Sequence, residues 1–393
     1  MSEPSKSRDH LATHRVVKVV DSVALLRNEY PIRGGLGWDF DGFRVWVETN
    51  EPALLTALAQ YFSDFRPLAA DSFEAAQAWG EITRITALQA DPPDLSGFRT
   101  MTIGEYKPGA RGPKEAFFDV ADGRVIHKLR TGMWFMFSCD EHLAIGPCTA
   151  NPNQIVNFIN NRMIQWSLHR AALLGHASAV CHQPSDAALP NTIAIAGRSG
   201  MGKSTLALHL MKDPQLEFLS NDRVMIRPAD AHGHVEIEGV PKHPRINPGT
   251  ILANPKLRGV LDDAERAKFQ ALSDDELWEL EHKFDGLIGT CFPGQRFLLR
   301  GRLVGLVLLN WTRDGGECIP RRVNLRQRTD LLPALIKTPG LFYLPAPTQA
   351  ASRDIGRYLE YLDGVEVLEL AGGIDFEAGR EAATQLLMSP PNP

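Results

Sequence analysis

Residues 43–48 alternate between Phe43, Val45 and Val47 on one side and Arg44, Trp46 and Glu48 on the other. A period of two predicts a strand with one buried face. Asn50, Glu51 and Pro52 then read as a helix start, with Asn50 as cap, an acid in the first turn and an early proline. Leu54, Leu55, Leu58 and Tyr61 share one face of that helix. Residues 82–88, 116–120 and 133–138 predict further strands, with a hairpin-like turn at Asp122-Gly123.

From 152 to 174 the apolar positions return at helical spacing (Ile155, Phe158, Ile159, Met163, Trp166, Ala171), and Gly175 is placed to end the element. A domain boundary is expected near this helix. Residues 1–14 are polar and read as a disordered tail, 15–150 as an α+β N-terminal module, and 151–388 as an α/β domain. The α/β assignment follows from a strand, a glycine-rich loop, a helix and a strand in succession, then more strands and a closing helix. The apolar run 303–309 reads as a buried strand. Residues 240–255, rich in Pro, Gly and Asn, cannot be one regular element. A charged helix is expected over 262–284, and the proline-rich 389–393 should be loose. There is no internal repeat.

Length agrees with two domains, because 393 residues exceed the roughly 250–300 that one core supports. A net charge of −5 gives no basic footprint for nucleic acid. No run approaches the roughly 20 apolar residues of a membrane helix, and 1–14 lacks the apolar stretch of a secretory signal. Cys139, Cys148, Cys181, Cys291 and Cys318 are odd in number and hold no CxxC pair. That spacing opposes a disulfide framework or a cysteine zinc site and fits reduced thiols in a cytoplasmic chain.

The chemistry concentrates at Gly197, Arg198, Ser199, Gly200, Met201, Gly202, Lys203, Ser204 and Thr205, which spell GxxxxGK[ST]. The β-rich run 192–196 precedes the motif, a helix-forming run 205–212 follows it, and Asp213-Pro214 ends that helix. Glycines let successive N–H groups turn inward onto phosphate oxygens, and the following helix adds its positive end. Lys203 supplies a mobile charge for the β- and γ-phosphates, and the Ser204 hydroxyl is a magnesium ligand. The pattern predicts a nucleoside triphosphate, with ATP and Mg²⁺ as the ligands.

A second acidic group is expected beside such a loop, and Asp222, closing the run 218–222, is the choice. His176 stands just before the loop strand, where it either reaches the γ-phosphate or is a satisfied core histidine. His232 and His234 suit a polar turn better than a metal. Lys242 and Arg245, on the stiff segment 241–250, suit phosphate or acceptor binding or else a solvated connector. Glu281, Lys283 and Asp285 read as an ion-paired surface.

In this order, His176, the 197–205 loop, Asn221-Asp222 and the run 236–239 (Glu-Ile-Glu-Gly) resemble HPr kinase/phosphorylase over about 170–250. The 241–250 stretch and the N-terminal module are more similar to the HPr-kinase-related proteins of the kinase B type, over about 20–385. The resemblance implies a phosphoenolpyruvate-carboxykinase-like P-loop domain and ATP- and magnesium-dependent phosphorylation of a hydroxyl, such as a protein serine. It makes His176 an active-site histidine and Glu236 a carboxylate near the metal, so the implied metal set is Ser204, Asp222 and Glu236. Three features depart from that family. Asn221 replaces the first of two aspartates, the one that would accept the hydroxyl proton. Glu238 replaces an arginine, and Val240-Pro241 replaces the next two positions.

Two readings follow. In one, the chain is a kinase with Lys203, Asp222 and His176 as its catalytic groups and a protein or a small molecule as acceptor. In the other, it is a nucleotide-gated binding or assembly module. The N-terminal module is expected to recognise the partner or to build a homo-oligomer. No partner among nucleic acids or membranes is expected.

Overall fold

The computed structural model describes residues 18–91, 101–104, 112–185, 187–280, 282–346 and 354–388. The expected tail 1–14 and the loose end 389–393 lie outside the described residues, as does Glu281. The chain packs as two units, Met1–Gln165 with Pro339–Pro347, and Trp166–Thr338 with Thr348–Pro393.

The first unit is built on a mixed sheet of nine strands among the described residues. Strands β1 (Gly34–Phe40), β2 (Phe43–Thr49), β3 (Arg66–Pro67), β4 (Thr83–Gln89), β5 (Thr102–Ile103), β6 (Glu115–Val120), β7 (Gly123–Lys128), β8 (Met133–Ser138) and β9 (His142–Gly146) lie in the order β3-β1-β2-β4-β9-β8-β7-β6-β5. The β2–β4 and β4–β9 pairs are parallel and the others antiparallel. Helices α1 (Val19–Glu29), α2 (Pro52–Tyr61), α3 (Phe73–Ala76) and α4 (Pro152–Leu168) complete the layer. The turn at Ala121-Asp122 joins β6 to β7, a strand that the sequence pattern had not marked. Glu51 rather than Asn50 caps α2, its side chain accepting from the Ala53 N–H. Asn50 instead trades hydrogen bonds with the backbone of Gln89, at 2.8 and 3.0 Å.

Helix α4 stops at Leu168, short of the expected 174. Ala171 turns the chain through a left-handed φ of 67°, and Leu173–Gly175 pairs as a strand instead. Toward its end α4 carries Arg162, 2% exposed, stacked over Phe137 at 4.4 Å and Phe158 at 5.3 Å. Its guanidinium donates to the Phe342 carbonyl. The Phe342 ring packs against Phe135, Phe137 and Phe158. Arg124 holds the Leu341 carbonyl at 2.8 Å, and Gln165 accepts from the Leu344 N–H at 2.9 Å. A distant segment thus closes the aromatic core of the first unit.

The second unit contains β10 (Leu173–Gly175), β11 (Ala177–His182), β12 (Asn191–Gly197), β13 (Leu216–Ser220), β14 (Val224–Ile226) and β15 (Glu236–Glu238). A two-stranded pair, β16 (Arg245–Ile246) with β17 (Phe284–Asp285), stands apart. Strands β18 (Arg300–Thr312), β19 (Cys318–Arg322) and β20 (Glu366–Gly373) follow. The main sheet runs β10-β14-β15-β18-β12-β11-β13. Strand β18, 13 residues long, pairs with β15 over Arg300–Arg302 and with β20 from Gly305 onward. The helices are α5 (Lys203–Leu210), α6 (Pro248–Ala253), α7 (Asp263–Gln270), α8 (Asp274–Glu279), α9 (Ile288–Cys291), α10 (Ile355–Tyr361) and α11 (Phe376–Met388). The helix expected over 262–284 is therefore two short ones and a strand. Ser273 caps a new start with a capping box to Glu276, which interrupts the first helix.

This mixed α/β architecture has a large mixed sheet in each unit. Among the described residues no helix is long and apolar enough to cross a membrane. All five cysteines are free.

Candidate functional site

Strand register assembles the site in the second unit. Ala177 of β11 pairs with Ala196 of β12, so His176 stands just before the strand, where the glycine-rich loop begins. Ser220 of β13 pairs with Ala179, so Asn221 and Asp222 leave the sheet beside Ser178 and His176. Strands β18 and β20 run parallel to β12 and end on the loop's side, with Leu309 level with both Gly197 and Leu370. Trp311 thereby donates its indole N–H to the Met201 carbonyl at 2.9 Å. Such carboxyl-end crevices are where α/β sheets place their ligands.

The loop has the backbone its sequence requires. Gly200 and Gly202 hold φ of 85° and 88°, a region that disfavours a Cβ. A Cβ on Gly202 would also stand 2.7 Å from the Phe376 ring. Helix α5 begins at Lys203 with no side-chain cap, which leaves its first N–H groups to an outside acceptor. The Lys203 ammonium, 8% exposed, donates to the carbonyls of Gly197 at 2.9 Å and Arg198 at 3.2 Å. Burial is the main cause that draws Lys203 down to about 8; Asp222 works upward, and Lys337, Lys283 and Arg223 work downward. A dianionic phosphate would reverse that balance.

Opposite the loop, Ser204 Oγ donates to Asn221 Oδ1 at 2.6 Å, and buried Ser178 shares the same acceptor at 3.3 Å. Asp222 stands in a left-handed conformation at φ 75°, which aims its carboxylate at His176 Nε2, 3.0 Å away. Arg223 Nη1 holds the other oxygen at 2.5 Å. Burial alone would raise the Asp222 pKa; the His176 hydrogen bond and the charges of Arg223, His176 and Lys242 outweigh it and keep the carboxyl well below its usual range. Thr205 and Thr250 hydroxyls meet at 2.9 Å.

These groups line a cleft of about 930 Å³ that also admits Lys242, Arg245, Lys283 and Phe376. Of the residues singled out in the sequence, His176, Ser199, Gly200, Gly202, Lys203, Ser204, Thr205, Asp222, Lys242 and Arg245 line it. Glu236 is the correction. It is absent from the lining, and Arg300 binds its carboxylate through Nε at 2.8 Å and through Nη2. Along β18 the partner of Glu236 is Arg302, whereas the loop's Gly197 pairs with Leu309. Glu238 is buried and bonded to Ser167 and Arg227. His232 and His234 share a turn built on Asp230, as the polar-turn reading expected.

Sequence reasoning missed Ser178, Thr250, Trp311 and Phe376; Lys283, read as surface, is exposed and also lies at the cleft. Thr250 and Phe376 line the cleft, whereas Ser178 and Trp311 bond to Asn221 and to the Met201 carbonyl; pairing between distant segments places them, and no local pattern marks that. Among the described residues no group of three or more His, Cys, Asp or Glu forms a metal cage. Magnesium that arrives with a triphosphate needs only one or two protein oxygens, a donor set that Ser204 Oγ with Asp222 would fit.

No protein-family model matches this sequence, and no curated protein matches it.

Proposed function

We propose that the protein is an ATP-dependent kinase that transfers the γ-phosphoryl group to a hydroxyl acceptor, with a second unit of the phosphoenolpyruvate-carboxykinase-like P-loop type. The observation that carries this reading is the Asp222–His176 pair, set beside Lys203 and Ser204 in one cleft. A triphosphate-binding loop alone fits many activities. A carboxylate locked onto a histidine where the γ-phosphate would end fits proton removal from an acceptor.

The residues fit the ligand. Gly200 and Gly202 leave the loop amides open, and the bare start of α5 adds its positive end. Lys203 would leave the loop carbonyls to meet phosphate oxygens, and Ser204 and Asp222 would hold the metal, which would supply charge neutralisation when bound. Asn221 cannot accept a proton, so it is not the base; it orients the Ser204 hydroxyl instead. The acceptor's proton goes to the hydrogen-bonded Asp222–His176 pair. Catalysis is then positioning and electrostatics.

The test is calorimetry with Mg²⁺–ATP on the wild type, Lys203→Ala and Asp222→Ala, followed by incubation with γ-labelled ATP in cell extract. Binding that depends on Lys203, with label moving to a protein or a metabolite, supports the kinase. Binding that depends on Lys203 with no label transferred would replace it with a nucleotide-gated binding module.

A further inference from the structure

The charges on the cleft are lopsided. Among the described residues Lys203, Lys242, Arg245, Lys283 and Arg313 line it, against the single carboxylate of Asp222. Most of these cations are committed. Lys203 sits on the loop, Arg245 is 3.5 Å from Asp285, and Arg313 holds Asp275. Lys242 and Lys283 are different: neither ammonium has a hydrogen-bond or ion-pair partner among the described residues.

The fold spends structure on placing them. Pro241 and Pro244, both buried, bracket Lys242, which fixes the backbone on either side. The β16–β17 ladder brings Arg245 opposite Asp285, and Arg245 Nη2 donates to the Lys283 carbonyl at 3.2 Å. A segment 38 residues away in sequence is thus clamped to the one that carries Lys242. Asp222 acts electrostatically on both Lys203 and Lys242, so it lies near the loop's cation and near this one. Leu252, Ala253, Leu272 and Leu277 give the cleft an apolar wall as well, suited to a nucleobase. A half-buried ammonium such as that of Lys242 is costly without a counter-ion unless a ligand supplies one, and the exposed Lys283 adds a second cation to the same cleft.

We propose that the acceptor is a small anionic hydroxyl compound, whose own phosphate or carboxylate is held by Lys242 and Lys283 while its hydroxyl faces Asp222 and His176. The proposal rests on the kinase reading above. The step balances: the acceptor oxygen bonds to the γ-phosphorus, the bond to the β–γ bridging oxygen breaks, ADP leaves, and the acceptor proton passes to the Asp222–His176 pair. The cations stand inside a cleft shared with the nucleotide, so the anion belongs to a molecule small enough to enter it.

The experiment fills the loop with Mg²⁺ and the β,γ-imido analogue of ATP, then titrates inorganic phosphate, and acetate in a parallel arm, by calorimetry. One saturable anion site is expected, with the stronger arm naming the anionic group. Lys242→Ala and Lys283→Ala should each weaken it at least about tenfold, the scale of one charge-assisted contact, with analogue affinity unchanged as the check on folding. Analogue binding without a saturable anion site, or an anion site indifferent to both variants, overturns the anionic acceptor and leaves the kinase standing. Failure of the analogue to bind overturns both.

Discussion

His176 Nε2 and Asp222 Oδ1 stand 3.0 Å apart, and the aspartate holds that position only by adopting a left-handed φ of 75°. Backbone strain of this kind costs about 1–3 kcal/mol and is retained where geometry is over-determined. Asp222→Asn should lower phosphoryl transfer by about 10²–10⁴-fold, the range for a lost proton acceptor, and should also raise the magnesium requirement for nucleotide binding, because the carboxylate is one of the two proposed metal oxygens. His176→Gln should act in the same direction on transfer. Single-turnover transfer set beside calorimetric affinity separates the two effects.

The same aspartate links stability to acid. Its folded pKa lies below the ordinary carboxylate value, so its contribution is complete above that value and is lost as pH falls through and below it. Thermal midpoints of wild type and Asp222→Asn should therefore differ most near neutrality and converge as the pH drops below about 4.

Lys203 follows the same sign in an alkaline window. Its pKa falls from 10.5 to about 8, so between those values the unfolded chain holds more protons than the folded one. Stability from this group rises with pH across that window. Against Lys203→Met, the nucleotide-free wild type should gain relative stability from pH 8 to 10.5, read by denaturant midpoints. Nucleotide should remove the trend.

Glu236→Gln tests whether Glu236 belongs with the proposed metal ligands Ser204 and Asp222. The carboxylate serves Arg300 on the sheet, so the variant should bind Mg²⁺–ATP as the wild type does, with the same magnesium requirement. Its stability loss should stay near that of a partly exposed ion pair, about 1 kcal/mol or less.

Gly202→Ala meets two obstacles, a φ of 88° and a Phe376 ring atom 2.7 Å from the new methyl. It should weaken both folding and nucleotide binding. Adding Phe376→Ala should restore part of the loss, because it removes the collision and leaves the backbone strain. A double-mutant cycle reads that coupling.

Local chemistry was legible and long-range pairing was not. The loop at 197–205 announced itself because its glycines, lysine and hydroxyl act within nine consecutive residues. Asp222 was legible as an acid at a strand end. Lys283 reaches the cleft only through a two-residue ladder with Arg245, and Trp311 and Phe376 reach the loop because β18 and β20 run parallel to β12. The helix from 152 overran in expectation because Ala171 and Leu173 continue its apolar rhythm. Tertiary pairing of Leu173–Gly175 with Val224–Ile226 prevailed over that rhythm.

Phe342, which closes the aromatic core around Arg162, also sets an order of events during synthesis. A ribosome completes residue 165 and then the whole loop-bearing stretch before Phe342 exists. At about 5–20 residues per second, that is a delay of roughly 10–35 s. Meanwhile Phe135, Phe137 and Phe158 lack their fourth ring, and the Arg162 guanidinium lacks the carbonyl it donates to. The unit that is begun first is therefore finished late, and a nascent chain stalled before residue 342 would present an open aromatic socket to chaperones or to another copy's Phe342.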